Sequence, residues 1–346
     1  MKIKLTFLLF SIGILYWMMS TSAGSIRPMS NPLTTETALE EALVGLGVQP
    51  VIHYMDEFDP ELADVGEKLI KEGEANYKDF KGKRISSYFV CTDCHNLVPE
   101  TNSLTNTSSE DRLDYAIKNG IPFLQGSTLH GLYNRTSFYN GDYYKKYGDL
   151  VIGARDTLEN AIQLCAEYCA SGRPLVDWEL DAMMNYFKRE ELKLTDLSLN
   201  EDEINLITNA HNQSNKIKDA AVSTLKDSYK VAFSAHFPGS LAEDKRGYGL
   251  KGDAAKGKEI YESSCMYCHG NARVTYLNLD NDVLSASFLW NNKEGYDDKS
   301  IYQVIRWGTS PIVGRKQYMP LYTSEKLSDG QLEDLMAYIK LLAKKK

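Results

Sequence analysis

Cys91-Thr92-Asp93-Cys94-His95 recurs in form as Cys265-Met266-Tyr267-Cys268-His269. Cys-x-x-Cys-His is the attachment sequence of a c-type haem. Two cysteines one turn apart reach the two vinyl groups as thioethers, and the adjacent histidine becomes the proximal iron ligand. Other readings of a Cys-x-x-Cys pair fit less well. A zinc ribbon brings its two pairs within roughly 15–20 residues of each other, whereas most of the chain separates these. A thioredoxin-like pair sits near a βαβ pattern, which the sequence lacks. Two covalently bound haem c groups are therefore expected. Cys91, Cys94, Cys265 and Cys268 would anchor them, and His95 and His269 would bind the irons. The other ligand of each iron decides between an electron carrier and an enzyme.

The chain has 346 residues, of which 43% are hydrophobic, enough for two ordinary domains and a leader. A formal charge of −8 speaks against nucleic-acid binding and suits a basic patch on a redox partner protein. Lys2 and Lys4 precede an apolar run from Leu5 to Met19, and small residues follow at Thr21-Ser22-Ala23. That is the pattern of an export signal. The uncharged run to Ile26 is also long enough for one membrane span of about 20 residues. Residues 1–23 are thus a signal peptide or an N-terminal membrane anchor, and membrane association through this end stays open. Either way the bulk lies in the periplasm or on the outer face of the cytoplasmic membrane, where c-type haem is attached. The sequons at Asn106, Asn134 and Asn212 are read as chance.

The remaining chain divides into a polar extension (24–60), a first unit (61–194), a structured linker (195–250) and a second unit (251–346). The extension carries a short helix near Glu36 to Leu46. Leu62, Val65, Leu69 and Ile70 then make one helical face. The polar run from Pro99 to Arg112 reads as a surface loop. Residues 132–147, rich in tyrosine and amide side chains, read as irregular chain packed over something flat, with a haem face as the candidate. Thr157 to Ala170 is a helix with Leu158, Ile162, Cys165 and Cys169 on one stripe, and Trp178 to Glu191 is another. The linker has helical pieces near 201–211 and 216–232. In the second unit Ser328 and Gln331 form a capping box. The helix they open carries Leu332, Leu335, Met336, Ile339 and Leu342 inward.

An internal repeat joins the two units. Leu180-Asp-Ala-Met-Met184-Asn-Tyr186-Phe-Lys188 aligns with Leu332-Glu-Asp-Leu-Met336-Ala-Tyr338-Ile-Lys340. Each segment lies downstream of a Cys-x-x-Cys-His. The expected fold is all-α: two cytochrome c-type helical domains in tandem, the first enlarged by a loop insertion.

Met319, in Met319-Pro320 shortly before the last helix, is the expected distal ligand of the second iron. A thioether opposite histidine raises the potential. Met336 reads as core, and the repeat assigns Met184 the same role. The first unit has no equivalent Met-Pro. Cys165, Cys169 and His130 are its candidates, with Cys165 preferred. Two thiols four residues apart share a helix face; two buried small residues or a within-helix disulfide are the plainer readings.

These residues resemble the dihaem thiosulfate dehydrogenases and the haem-bearing subunit of the sulfur-oxidising Sox system. In those families a Cys-x-x-Cys-His unit later carries a helix with a distal cysteine, then a glycine, a basic residue and an apolar turn. Cys165-Ala-Glu-Tyr-Cys169-Ala-Ser-Gly172-Arg173-Pro-Leu175 has that spacing. The resemblance implies a His/Cys haem at which a small sulfur compound is oxidised, Cys165 then being catalytic, and a His/Met haem that passes electrons on. Arg135, Arg155 and Arg173 lie in the right part of the chain for an anion site. The expected function is electron transfer from a low-potential His/Cys haem to a His/Met haem. The alternative is a thiosulfate dehydrogenase-type oxidoreductase with a cytochrome acceptor. A dihaem peroxidase would need acid–base residues that nothing here marks.

Overall fold

The computed structural model describes residues 32–238, 247–291, 300–309 and 319–344. The expected leader, 1–23, lies outside them. The described residues are helical, with isolated backbone bridges and no strand. No helix among them is long and apolar enough to cross a membrane.

The first half contains α1 (Leu39–Gly45), α2 (Pro60–Glu72), α3 (Ser109–Asn119), α4 (Tyr143–Tyr147), α5 (Leu150–Ala154), α6 (Leu158–Leu164) and α7 (Asp177–Arg189). After it come α8 (Glu201–Asn209), α9 (Asn215–Asp227), α10 (Ala254–Ile260), α11 (Met266–His269), α12 (Val283–Asn291), α13 (Ile301–Trp307) and α14 (Asp329–Ala343).

Each unit is built on one crossing of its first and last helices. Asp59 starts α2 by accepting the Glu61 and Leu62 amides at 2.9 and 3.2 Å, with Pro60 pre-set in the first turn. Its buried face, Ala63, Val65, Gly66, Leu69 and Ile70, packs on α7. In the second unit Ser328 caps α14 reciprocally with Gln331 at 3.2 and 3.0 Å, and α14 crosses α10. The two crossings share a device. A Cβ on Gly66 would sit 2.0 Å from the Ala182 carbonyl oxygen, and one on Gly257 would sit 1.9 Å from that of Asp334. Ala182 and Asp334 occupy the same place in the internal repeat. Both backbones meet where a side chain has no room.

Three expectations need correction. The run from Pro99 to Arg112 is no simple surface loop. Ser108 caps α3, the buried Arg112 and Glu100 pair at 3.0 Å, and Leu113 and Ala116 join the second unit's core. A chain read locally looks polar there because its apolar partners lie some two hundred residues away. The extension also does more than precede the first unit. Leu33, Leu39, Ala42, Leu43 and Leu46 close a third core with Leu192, Leu194, Ile207, Ala221 and Leu225, joining it to α8 and α9. Finally, the helix predicted over 157–170 changes pitch. After α6 it continues through Cys165–Cys169 as a π-turn, in which the Ala170 amide bonds the Cys165 carbonyl at 2.8 Å.

Candidate functional site

The first Cys-x-x-Cys-His forms a tight turn. Asp93 Oδ2 accepts the Val90 amide at 2.9 Å, and the His95 amide returns to the Cys91 carbonyl at 3.0 Å. His95 Nδ1 lies 2.6 Å from the Ser127 carbonyl oxygen. A carbonyl can only accept, so Nδ1 carries the proton and Nε2 is the free metal-binding nitrogen. Burial lowers the imidazole's pKa, which keeps it neutral as a ligand must be. Gly126 makes room for the ring: a Cβ there would lie 2.5 Å from both His95 Nδ1 and the Cys94 carbonyl oxygen.

Beside this turn lies a cavity of about 240 Å³. Cys91, Cys94 and His95 line it, and so do Cys165, Cys169 and a wall of apolar side chains that includes Leu69, Leu132 and Phe187. Phe138, Tyr139, Asn140, Tyr143 and Tyr147 of the tyrosine-rich segment line it as well, though that segment contains α4 and so is not wholly irregular.

The cysteine helix is pinned over the haem motif by its far end. Ser86 Oγ donates to the Ala170 carbonyl at 2.6 Å, and the Arg173 amide bonds the Ile85 carbonyl at 3.0 Å. Gly172 fits between these strands of chain because a Cβ would lie 2.5 Å from the Ile85 carbonyl oxygen. Arg173 then fixes the start of α7 through Glu179 at 2.6 and 2.7 Å. That engagement, with Arg155 exposed, leaves Arg135 as the one of the three arginines that lines the cavity.

Cys165 and Cys169 are free thiols that bond each other. This bond and burial push Cys165 above the usual thiol range. The bond from Cys165, reinforced by the Tyr139 and Tyr147 hydroxyls at 3.5 and 3.4 Å, pulls Cys169 below it. His130 is not part of this cavity; it lines a separate one of about 50 Å³. Met183, next to Met184 in the sequence, lines the haem-side cavity. It belongs to the first core, and its repeat equivalent, Leu335, belongs to the second.

At the second motif Tyr261–Cys265 is again a π-turn, leading into α11. His269 Nδ1 lies 2.8 Å from the Leu277 carbonyl oxygen, which leaves Nε2 free as in His95. Burial lowers this imidazole's pKa too. Cys265 and Met319 pack against one core with Leu335 and Met336. Met319 is held by its backbone: Thr309 Oγ1 accepts its amide at 2.6 Å, and the Thr309 amide donates to its carbonyl at 2.9 Å. Gly308, at φ 65°, passes so close that a Cβ would lie 2.2 Å from that carbonyl oxygen.

The variable positions of the two pentapeptides touch each other. Tyr267 OH donates to the Thr92 carbonyl at 3.2 Å. The Arg273 guanidinium carbon lies over the Tyr267 ring, 3.9 Å from its centroid, and both its terminal nitrogens reach Asp93 Oδ1 at 3.0 Å. Nothing in either motif taken alone signals this contact.

Both sets of residues fit a haem c: two cysteines on a turn, a neutral imidazole with its outer nitrogen bonded, and apolar walls. Residues 252–339 match a family model described as cytochrome c oxidase, cbb3-type, subunit III. The chain is 31% identical over 88 residues to cytochrome c6 of Limnospira maxima, an overlap of 25% of this chain and 91% of that protein. No solved structure matches it. The chain therefore belongs to the cytochrome c family, with covalently bound haem c and electron transfer as its chemistry.

Proposed function

We propose that this protein is a dihaem electron carrier working outside the cytoplasm, from a His95/Cys165 haem to a His269/Met319 haem. The observation that carries the reading is the direct contact between the two pentapeptides through Tyr267, Thr92, Arg273 and Asp93. Haems anchored on such turns lie within reach of one another without a diffusing carrier. The domain division follows the same logic. Residues 61–194 and 251–346 each carry one helix crossing and one motif, and the described residues of 24–60 and 195–250 build a further core with Leu192 and Leu194 of the first unit.

Within this reading the haems, when bound, supply the redox change. The protein fixes both imidazoles, closes the first site with apolar and aromatic walls and presents a soft thiolate. Cys165 takes that role on the spacing that carries the family resemblance, and Cys169, whose thiolate the hydrogen bonds with Cys165, Tyr139 and Tyr147 favour, is the rival ligand. Spectroelectrochemical titration tests it. Two reduction waves, the lower one with the ferric spectrum of a thiolate-ligated haem, are expected. A single wave contradicts the reading.

Oxidation of a small sulfur anion at the first haem is the second reading. Its specific support is Arg135, a cation lining the cavity that also holds both thiols. Thiosulfate added to the oxidised protein separates the two readings. Reduction on mixing favours the enzyme, and none across a broad pH range leaves the carrier.

A further inference from the structure

The first cavity has a one-sided charge. With His95 neutral, its charged side chains are Arg135 and Lys326, and no carboxylate among the described residues lines it. Both are buried, at 6% and 8% exposure. Arg135 donates from Nη2 to the carbonyls of Thr128 and His130, at 2.6 and 3.1 Å, and its guanidinium lies 4.6 Å from the Phe233 ring centroid. Lys326 Nζ lies 5.4 Å from that same ring. Neither cation has an ion-pair partner among the described residues. Glu100, whose charge reaches both, is held by Arg112 at 3.0 Å, and Glu325, whose charge reaches Lys326, is paired with His236. Burial accordingly pulls Lys326 down to about 7 and Arg135 to about 10.

Burying a cation without a paired counter-charge is strongly unfavourable, so two of them in one cavity call for two anions. A haem carries two propionates, on the edge opposite its two thioethers. We propose that Arg135 and Lys326 hold the two propionates of the haem attached at Cys91 and Cys94. This rests on the dihaem reading above. It adds that the second unit completes the first unit's site, because Lys326 stands in the turn just before α14. Two hydrogen bonds hold that turn in place. Arg112 Nη1 donates to the Lys326 carbonyl at 3.1 Å, and the Lys326 amide bonds the Thr323 carbonyl at 3.0 Å. Both cations border the smaller cavity as well, whose lining includes neither Cys91 nor Cys94.

The test uses full-length holoprotein with Lys326→Met and Lys326→Arg. Haem content is measured first, and one haem per chain in the wild type defeats the dihaem reading itself. With two haems present, the potentials of both and the resonance Raman propionate bending modes are compared. Lys326→Met should lower the potential of the first haem, leave the second in place and shift a propionate mode, while Lys326→Arg restores both. Loss of the first haem alone in Lys326→Met, with retention in Lys326→Arg, also supports the clamp. Unchanged potential and modes in Lys326→Met would overturn it. So would a wild-type potential that follows added inorganic phosphate, since the site would then hold a free anion.

Discussion

Cys165 has Cys169 as its polar partner, whereas Cys169 also meets two tyrosine hydroxyls. A thiolate ligand stabilises ferric iron more than a thioether does, so Cys165→Met should raise the potential of one haem and change its ferric spectrum. Cys169→Ser should keep the thiolate-type spectrum. The opposite pattern would move the ligand to Cys169. Glu40 offers a test of the third core. It is 2% exposed, and burial raises its carboxyl from 4.5 to about 7, opposed by the bond from Asn134 at 3.3 Å. The folded state holds this proton more tightly than the unfolded chain. Its contribution is therefore complete below about pH 4.5 and lost as pH rises through 7. Glu40→Gln should be near neutral at pH 4.5 and stabilise by roughly 2–3 kcal/mol at pH 8. Denaturant midpoints at the two pH values would show it, and an equal effect at both would contradict it.

The helix crossings are where sequence and structure agree best. The capping box at Ser328, the buried stripe of α14 and the repeat that pairs α7 with α14 follow from local chemistry and periodicity, and so were legible. Gly66 and Gly257 were not, because a glycine inside a helix is ambiguous until its neighbour across the crossing is known. Each lies against a carbonyl at about 2 Å from where a Cβ would be. Alanine gains about 1 kcal/mol of helix propensity, but the forced separation of the helices costs about 1–3 kcal/mol and wins at this distance. Gly66→Ala and Gly257→Ala should both destabilise, as followed by thermal unfolding of the holoprotein. A stabilised variant would mean that the two helices can part at little cost. The candidate ligands were equally uneven in legibility. His95 and His269 announce themselves by spacing, and Cys165 and Cys169 by sharing a helix face. The change of pitch at Cys165 depends on the Ser86 and Ile85 contacts, and Lys326 reaches the first cavity from the far end of the chain.

Shared cores and one motif-to-motif contact make the molecule a single device. Tyr267, Arg273 and Asp93 join the two turns, and α3 carries first-unit residues into the second unit's core. Asp93→Asn keeps an acceptor for the Val90 amide but removes the charge facing Arg273. Since Arg273 is 41% exposed, the loss should be about 1 kcal/mol and should shrink at high salt. A loss independent of salt would assign the pair a packing role instead. The central claim is that both pentapeptides carry haem. The intact mass of the mature protein, compared with that of a Cys91→Ser/Cys94→Ser variant, tests it directly. The wild type should exceed its polypeptide mass by two haems and the variant by one. A single haem on the wild type, unchanged in the variant, would contradict the account.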